Sequence, residues 1–326
     1  MITAYYIEPG KRAHYAPFSE TPRDGNPVWL DALNPTDEDL DRLSDVTGFA
    51  VPTRESMTEI EISSRLYREK DAFVMVASLL PKTAAEILPL KPVAFIFKPT
   101  MLVTIRYSEI LPFDRMNRRL ETTDETRDAL SIFCTLLDES ISDCADDLEL
   151  SMRHLEKLTS RLFIRVGTTQ KDRPNNPQLE ESLQLIGSMG ERVANIRESV
   201  ASLQRLLNFA KTYMPERWLG DRAHILESMR ADTMVISDES GFFMNKLSFN
   251  LDATLGMINV EETKIIRILS IVTLVLSPPM VVAGIYGMNF SNMPELTWPY
   301  GYATALAIIG LTALAPLAYL RRKKWL

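Results

Sequence analysis

The side chains of this sequence best suited to handling an ion lie near its C-terminal end and share one spacing. Counting back from Gly287 by threes and fours gives Gly284, Met280, Ser277, Thr273, Ser270, Ile266, Thr263, Asn259, Gly256 and Asp252. A 3–4 spacing marks one face of a helix in a supercoil. From Ser270 to Gly287 this face is small or hydroxylated apart from Met280, while the other faces carry Ile, Leu and Val. Two chemistries fit such a face. Small residues let helix backbones approach closely. Alternatively, hydroxyl oxygens and bare backbone line a water-filled axis shared by several copies. The spacing alone leaves both open.

The stripe ends at Gly287, Met288 and Asn289. Around a shared axis, Asn289 presents a ring of amide oxygens. Oxygen dipoles without net charge suit an ion that keeps its water shell, and magnesium sheds water reluctantly. Glu295, a few residues on, adds a negative ring at the mouth, which concentrates cations. No catalytic constellation accompanies these residues. His14, His154 and His224 have no metal-ligand spacing with one another or with Cys134 and Cys144. There is no phosphate-binding loop, and so no nucleotide is expected. Acids gather at Asp138, Glu139, Asp143, Asp146, Asp147 and Glu149. They read as a solvated helix face or as an electrostatic partner for the basic tail at 321–324.

Two apolar segments must position the stripe. Between Arg267 and Arg321 the only charged side chain is Glu295. Segments 268–288 and 300–320 are each 21 residues long. As helices each spans roughly 31 Å, about one hydrocarbon core. Pro278, Pro279 and Pro316 do not exclude spanning helices. Lys264 and Arg267 precede the first segment, and Arg321, Arg322, Lys323 and Lys324 follow the second, while the loop 289–299 has no Lys or Arg. This bias puts both termini in the cytoplasm, with Trp298, Tyr300 and Trp325 as interfacial anchors. Two spans cannot enclose a wide path, so a pore requires an oligomer.

The rest of the chain reads as cytoplasmic. Strands are expected at 2–8, 28–33, 73–80, 93–97 and 102–107, and helix starts at Thr36 and Thr53, forming an α/β domain over 1–120. Long helices follow at 123–166, at 179–210 and from about Arg222 onward. The last shows no stop before the membrane. The expected organisation is an α+β membrane protein: the α/β domain, a long-helix stalk over 121–264, and a two-helix transmembrane part over 265–326. The whole chain has 46% hydrophobic and 24% charged residues, with a net charge of −7. That average hides the apolar end and argues against nucleic-acid binding.

The text Tyr286-Gly287-Met288-Asn289, followed by Met293-Pro294-Glu295-Leu296, a second span and a basic end, closely resembles the CorA magnesium transporters. The resemblance implies a funnel-shaped homopentamer in the inner membrane. Five first helices line the pore, and the second helices ring them against membrane lipid. Gly287, Met288 and Asn289 form the selectivity ring for hydrated Mg2+. Ile266, Leu269, Ser270, Thr273, Ser277, Met280 and Gly284 line the path. It further implies that intracellular Mg2+ bridges acidic side chains of neighbouring copies and holds the pore closed. By position on the long helix the candidates are Asp232, Asp238 and Asp252. This sequence departs from the family at Ser291, often an acid, and at Ser277, often a bulky gate. The constriction then shifts to Met280, or inward to Ile266 and Leu269. The same architecture could carry cobalt, nickel or zinc, although Met288 favours magnesium. A non-conducting membrane-anchored sensor or scaffold is the other class.

Overall fold

The computed structural model describes residues 2–6, 14–18, 27–59, 61–82, 89–122, 128–163, 176–288 and 293–323. In chain order the first elements are β1 (Ile2–Tyr6), β2 (His14–Pro17), β3 (Trp29–Leu33), α1 (Asp37–Thr47), α2 (Arg54–Thr58), α3 (Ile62–Arg65) and β4 (Leu66–Glu69). Then come β5 (Ala72–Leu79), β6 (Lys91–Lys98), β7 (Met101–Arg106), α4 (Leu111–Thr122) and α5 (Ala129–Phe163). The chain continues with α6 (Asn176–Tyr213), α7 (Glu216–Leu219), α8 (Ala223–Tyr286) and α9 (Gly301–Arg322). Contacts group these into two compact units, 1–173 with 181–251 and 174–180 with 252–326.

The first unit is built on one seven-stranded sheet, ordered β2-β1-β3-β7-β6-β5-β4. All neighbours are antiparallel except β3 and β7, which run parallel. The expected strands at 28–33, 73–80, 93–97 and 102–107 are β3, β5, β6 and β7 with ends moved by a residue or two. Residues 7 and 8 of the strand expected at 2–8 lie outside the described residues. The sequence reading omitted β2 and β4, the two edge strands. Each is four residues long, and β4 reads Leu-Tyr-Arg-Glu, without the apolar run that marks a covered strand.

The eight residues of β5 are buried throughout, so both faces of the sheet are covered. One face packs Val74 and Val76 with Leu40, Leu43, Phe49 and Met57 from α1, α2 and the loop between them. On the other, Phe73 meets Phe209 of α6 and Trp218 of α7 edge-on, and Phe95 meets Phe133 of α5. Helix α1 starts where expected. Thr36 Oγ1 accepts from Asp39 N–H and Thr36 N–H donates to the Asp39 carboxylate, both at 3.2 Å. This is a capping box, and the bond from the Thr36 backbone lowers the Asp39 carboxyl below its ordinary range. Thr53 Oγ1 caps α2 by accepting from Ser56 N–H at 3.3 Å.

The parallel β3–β7 pair carries a buried polar network absent from the sequence expectations. Trp29 Nε1 donates to Thr104 Oγ1 at 3.0 Å, and Thr104 donates to Asp31 Oδ1 at 2.7 Å. Arg106 Nη2 meets Asp31 Oδ2 at 2.7 Å, with 5% and 4% of the two side chains exposed. The guanidinium also lies over the Phe113 ring at 4.5 Å. Every partner is hydrogen-bonded, as a buried charge pair requires.

Helix α8 is 64 residues long and contains Pro278 and Pro279, and the boundary between the two units falls within it. In the second unit α9 packs on a short 3-10 turn, Pro294–Thr297. Gly301 N–H closes on the Trp298 carbonyl at 3.0 Å, and the Trp298 and Tyr300 rings meet edge-on at 6.4 Å.

Candidate functional site

The stripe lies on α8 within the second unit. Two helices, α8 and α9, are long and apolar enough to cross a membrane. None of the most apolar stretch of α8 is buried, leaving Ile268, Leu269, Val272, Leu276, Met280 and Ile285 bare. Exposed apolar surface on this scale calls for lipid or other copies of the chain. An open groove of about 520 Å3 runs along α8, lined by Leu269, Ser270, Thr273, Leu274, Ser277 and Pro278. Four of these six are residues expected to line the path.

Three hydroxyls of the stripe point their protons backward. Ser270 Oγ donates to the Ile266 carbonyl at 2.8 Å, and Thr273 Oγ1 to the Leu269 carbonyl at 2.9 Å. Thr263 Oγ1 does the same to Asn259 at 2.7 Å. With its proton engaged, each oxygen keeps lone pairs free for a cation or its water. Pro278 and Pro279 lack the N–H groups that would otherwise close on the Leu274 and Val275 carbonyls. More oxygen dipoles are thereby released beside the groove.

The outer end of α8 is set by Gly287. Its N–H is shared between the Ala283 and Gly284 carbonyls, at 3.0 and 3.2 Å, and Met288 N–H reaches the Ile285 carbonyl at 3.2 Å. A Cβ on Gly287 would meet the Ala283 oxygen at 3.3 Å, so a side chain here is tight against the preceding turn. A helix C-terminus carries roughly half a negative charge, which favours a cation there. Asn289 lies outside the described residues, and so does the side chain of Glu295.

The acids on α8 do not form a site within one chain. Asp232, Asp238 and Asp252 are all exposed. Among the described residues no group of three or more His, Cys, Asp or Glu could hold a metal ion. Asp232 lies near Asp138 of α5. Partial burial first, then the charges of Glu139 and Asp232, raise the Asp138 carboxyl above its ordinary range.

Most of the acids in the run on α5 are paired with arginines. Arg115 of α4 binds Glu139 at 3.1 Å and Asp143 at 2.6 Å, and Arg119 binds Glu139 at 3.0 Å. Arg192 of α6 binds Asp147 at 2.7 Å, and Arg153 binds Glu149 at 3.2 Å. Burial, with Glu139 and Asp146 alongside, pushes the Asp143 carboxyl up to about 6 against the pull of Arg115. The pairings of Arg115, Arg119 and Arg192 join different helices, so spacing along one helix carried no signal of them, whereas Arg153 and Glu149 are an i,i+4 pair within α5. Cys134 and Cys144 are buried, and burial pushes both thiols up to about 12, which leaves them unreactive.

With this geometry in place, comparison with known proteins is informative. The model of the CorA-like Mg2+ transporter protein family matches residues 24–322. The chain belongs to that family. It is 30% identical to the magnesium transport protein CorA of Escherichia coli over 330 aligned residues, covering 100% of both chains. It is also 30% identical to the protein of that name from Pectobacterium atrosepticum, over 92% of both chains. The complete structure of the CorA magnesium transporter from Methanocaldococcus jannaschii superimposes with a TM-score of 0.76 at 22% identity, covering 100% of this chain and 99% of that one. Full-length CmaX follows at 0.72 and 15% identity, covering 100% of this chain and 98% of its own. At these identities the two structures establish the shared fold. The family is one of ion transporters rather than of enzymes, as the sequence reading expected.

Proposed function

We propose that this protein moves hydrated Mg2+ passively across a membrane through a path lined by α8. The observation that carries the reading is the exposed stripe of Ser270, Thr273, Ser277 and Gly284 on an otherwise apolar helix that ends at Gly287 and Met288. Lipid gives no reason for hydroxyl oxygens on a bare helix face; a hydrated cation does. One copy offers only one wall, so the path needs several. In this reading, which the CorA resemblance supports, the assembly is a homopentamer, with α8 of each copy around the axis and α9 towards lipid.

In this reading Asn289, with Gly287 and Met288, forms the selectivity ring, and Glu295 concentrates cations at the mouth. Met280, Ile266 and Leu269 are the candidates for the narrowest point. The basic residues at 264, 267 and 321–324 support a reading with both termini in the cytoplasm, and the membrane in this reading is an inner membrane. Regulation by intracellular Mg2+ follows if acids of neighbouring copies share an ion. Asp232, Asp238 and Asp252 are the candidate ligands. Such an ion shifts the population toward the closed state only by the difference in its affinity for the two states.

The experiment is divalent-ion flux into liposomes holding the purified full-length protein. Mg2+ flux that is abolished by Asn289→Ala, with the oligomer intact, is the expected result. Wild-type flux in that variant overturns the selectivity ring. Preference for cobalt, nickel or zinc reassigns the cargo, and no flux of any ion favours a sensor or scaffold.

A further inference from the structure

Helix α9 shows two sides at its C-terminal end. Leu320 is 4% exposed and lies against its own chain, whereas Leu311 and Leu314 are 69% and 66% exposed. Ala315, Ala318 and Arg322 are exposed as well. The steps from 311 through 315 and 318 to 322 are fours and threes, so these residues share one face of the helix. Tyr319, 60% exposed, borders that face one turn before Arg322 and Lys323. Two alanines among larger neighbours keep the face shallow, and it ends in positive charge.

Arg321, Arg322 and Lys323 are all exposed, and among the described residues none of them is paired with an acid. The sequence offers no acid nearby, because 296–326 contains no Asp or Glu. Free cations therefore stand at the end of a bare apolar face. A soluble anion would neutralise the charges and leave the leucines uncovered. An apolar helix would cover the leucines and leave the charges unmatched. A molecule with an anionic head joined to apolar chains answers both. The other end of α9, with Trp298, Tyr300 and Tyr302 around its start, lacks the basic half of this pattern, since no Lys or Arg lies between Arg267 and Arg321.

We propose that the C-terminal end of α9 holds an anionic phospholipid, with its phosphate at Arg322 and Lys323 and an acyl chain along Ala318 and Ala315. The proposal rests on reading α9 as a membrane-spanning helix turned towards lipid. A guanidinium presents paired N–H donors that match two phosphate oxygens, while the arginine stem lies along apolar surface. The Lys323 ammonium adds a second charge, and the Tyr319 hydroxyl a donor at headgroup level.

The test is equilibrium binding of phosphatidylglycerol to the purified full-length protein in detergent, read by native mass spectrometry beside phosphatidylcholine with the same acyl chains. Phosphatidylglycerol should bind the wild type about tenfold or more tightly than phosphatidylcholine. Arg322→Gln/Lys323→Gln should lose about thirtyfold of the phosphatidylglycerol affinity, since each basic residue near an anionic membrane surface contributes about 1 kcal/mol. Phosphatidylcholine binding should stay within about twofold, because its headgroup carries no net charge. Arg197→Gln/Arg205→Gln, a pair of exposed arginines on α6, should change neither. Equal binding of the two lipids, or an equal loss in the α6 pair, overturns the site. Displacement by inorganic phosphate alone overturns the lipid as its occupant. Lys323→Gln by itself lies beyond the last residue of α9 and leaves the helix intact. It should lose about fivefold, and no loss there overturns the proposal whatever the pair does. A full-length protein that stays soluble without detergent overturns the membrane reading as well.

Discussion

Replacing Asp143 with Asn probes the electrostatics of the α4–α5 junction. The Asp143 side chain is 14% exposed and receives Arg115 Nη1 at 2.6 Å. The same guanidinium nitrogen serves Glu139 at 3.1 Å, so one cation is divided between two acids. Burial and the neighbouring charges of Glu139 and Asp146 outweigh that shared cation and carry the carboxyl from 3.8 to about 6. The folded protein then holds this proton more tightly than the unfolded chain does. The stability contributed is full below about pH 4 and is lost as the pH rises through about 6. A shift of about two units corresponds to about 3 kcal/mol. Asn has the shape of the protonated acid and cannot ionise. Asp143→Asn should therefore be close to neutral at pH 4 and stabilising by up to about 3 kcal/mol at pH 8. Unfolding of the full-length protein in detergent can be followed by tryptophan fluorescence, since Trp29 is buried in the sheet and Trp218 of α7 packs edge-on against Phe73. The quantity to plot is the stability difference between variant and wild type against pH. A difference that stays flat from pH 4 to pH 8 refutes the account.

Four further outcomes follow from the same structure. Asp31→Ala strands Arg106 in the sheet and should cost about 3–5 kcal/mol in denaturant unfolding, whereas the pair Asp31→Leu/Arg106→Met should cost much less. Thr273→Val keeps the side-chain shape but removes the oxygen; Mg2+ flux should fall by about tenfold and recover in Thr273→Ser, on the scale of a lost hydrogen bond to a charged ligand. Gly287→Val forces a branched side chain against the Ala283 carbonyl and should abolish flux in liposomes while leaving assembly by size-exclusion chromatography unchanged. Cys134 and Cys144, with thiols at about 12, should resist maleimide labelling at pH 7.5 in the folded protein and react on unfolding.

Much of the fold was legible in the residues because the strongest signals are local. The covered strands β5, β6 and β7 read as Val-, Phe- and Ile-rich runs, and Thr36 and Thr53 announce their helices by capping chemistry. The path signal was equally local. Hydroxyls at three-and-four spacing on an uncharged run mark a membrane-spanning helix with one small or hydroxylated face, and the text Gly287-Met288-Asn289 after it carries the resemblance to the CorA family. The edge strands β2 and β4 escaped because an uncovered edge carries no hydrophobic requirement.

The tertiary structure alone decided which charges meet. Asp31 with Arg106 and Asp143 with Arg115 join residues 75 and 28 positions apart, and no periodicity encodes such a meeting. It also decided which of the two seams on α8 is closed by its own chain. By sequence Phe243 and Phe242 are neighbours of the same kind; the fold buries the first and leaves the second bare. The physical reason is that a helix repeats both seams with one period, and only the sheet and helices packed on one side choose between them. The sequence by itself determined that one face of α8, from Ser270 to Gly287, is small or hydroxylated apart from Met280. The fold determined that in the first unit the face with Phe243 is closed by its own chain and the face with Phe242 is left open.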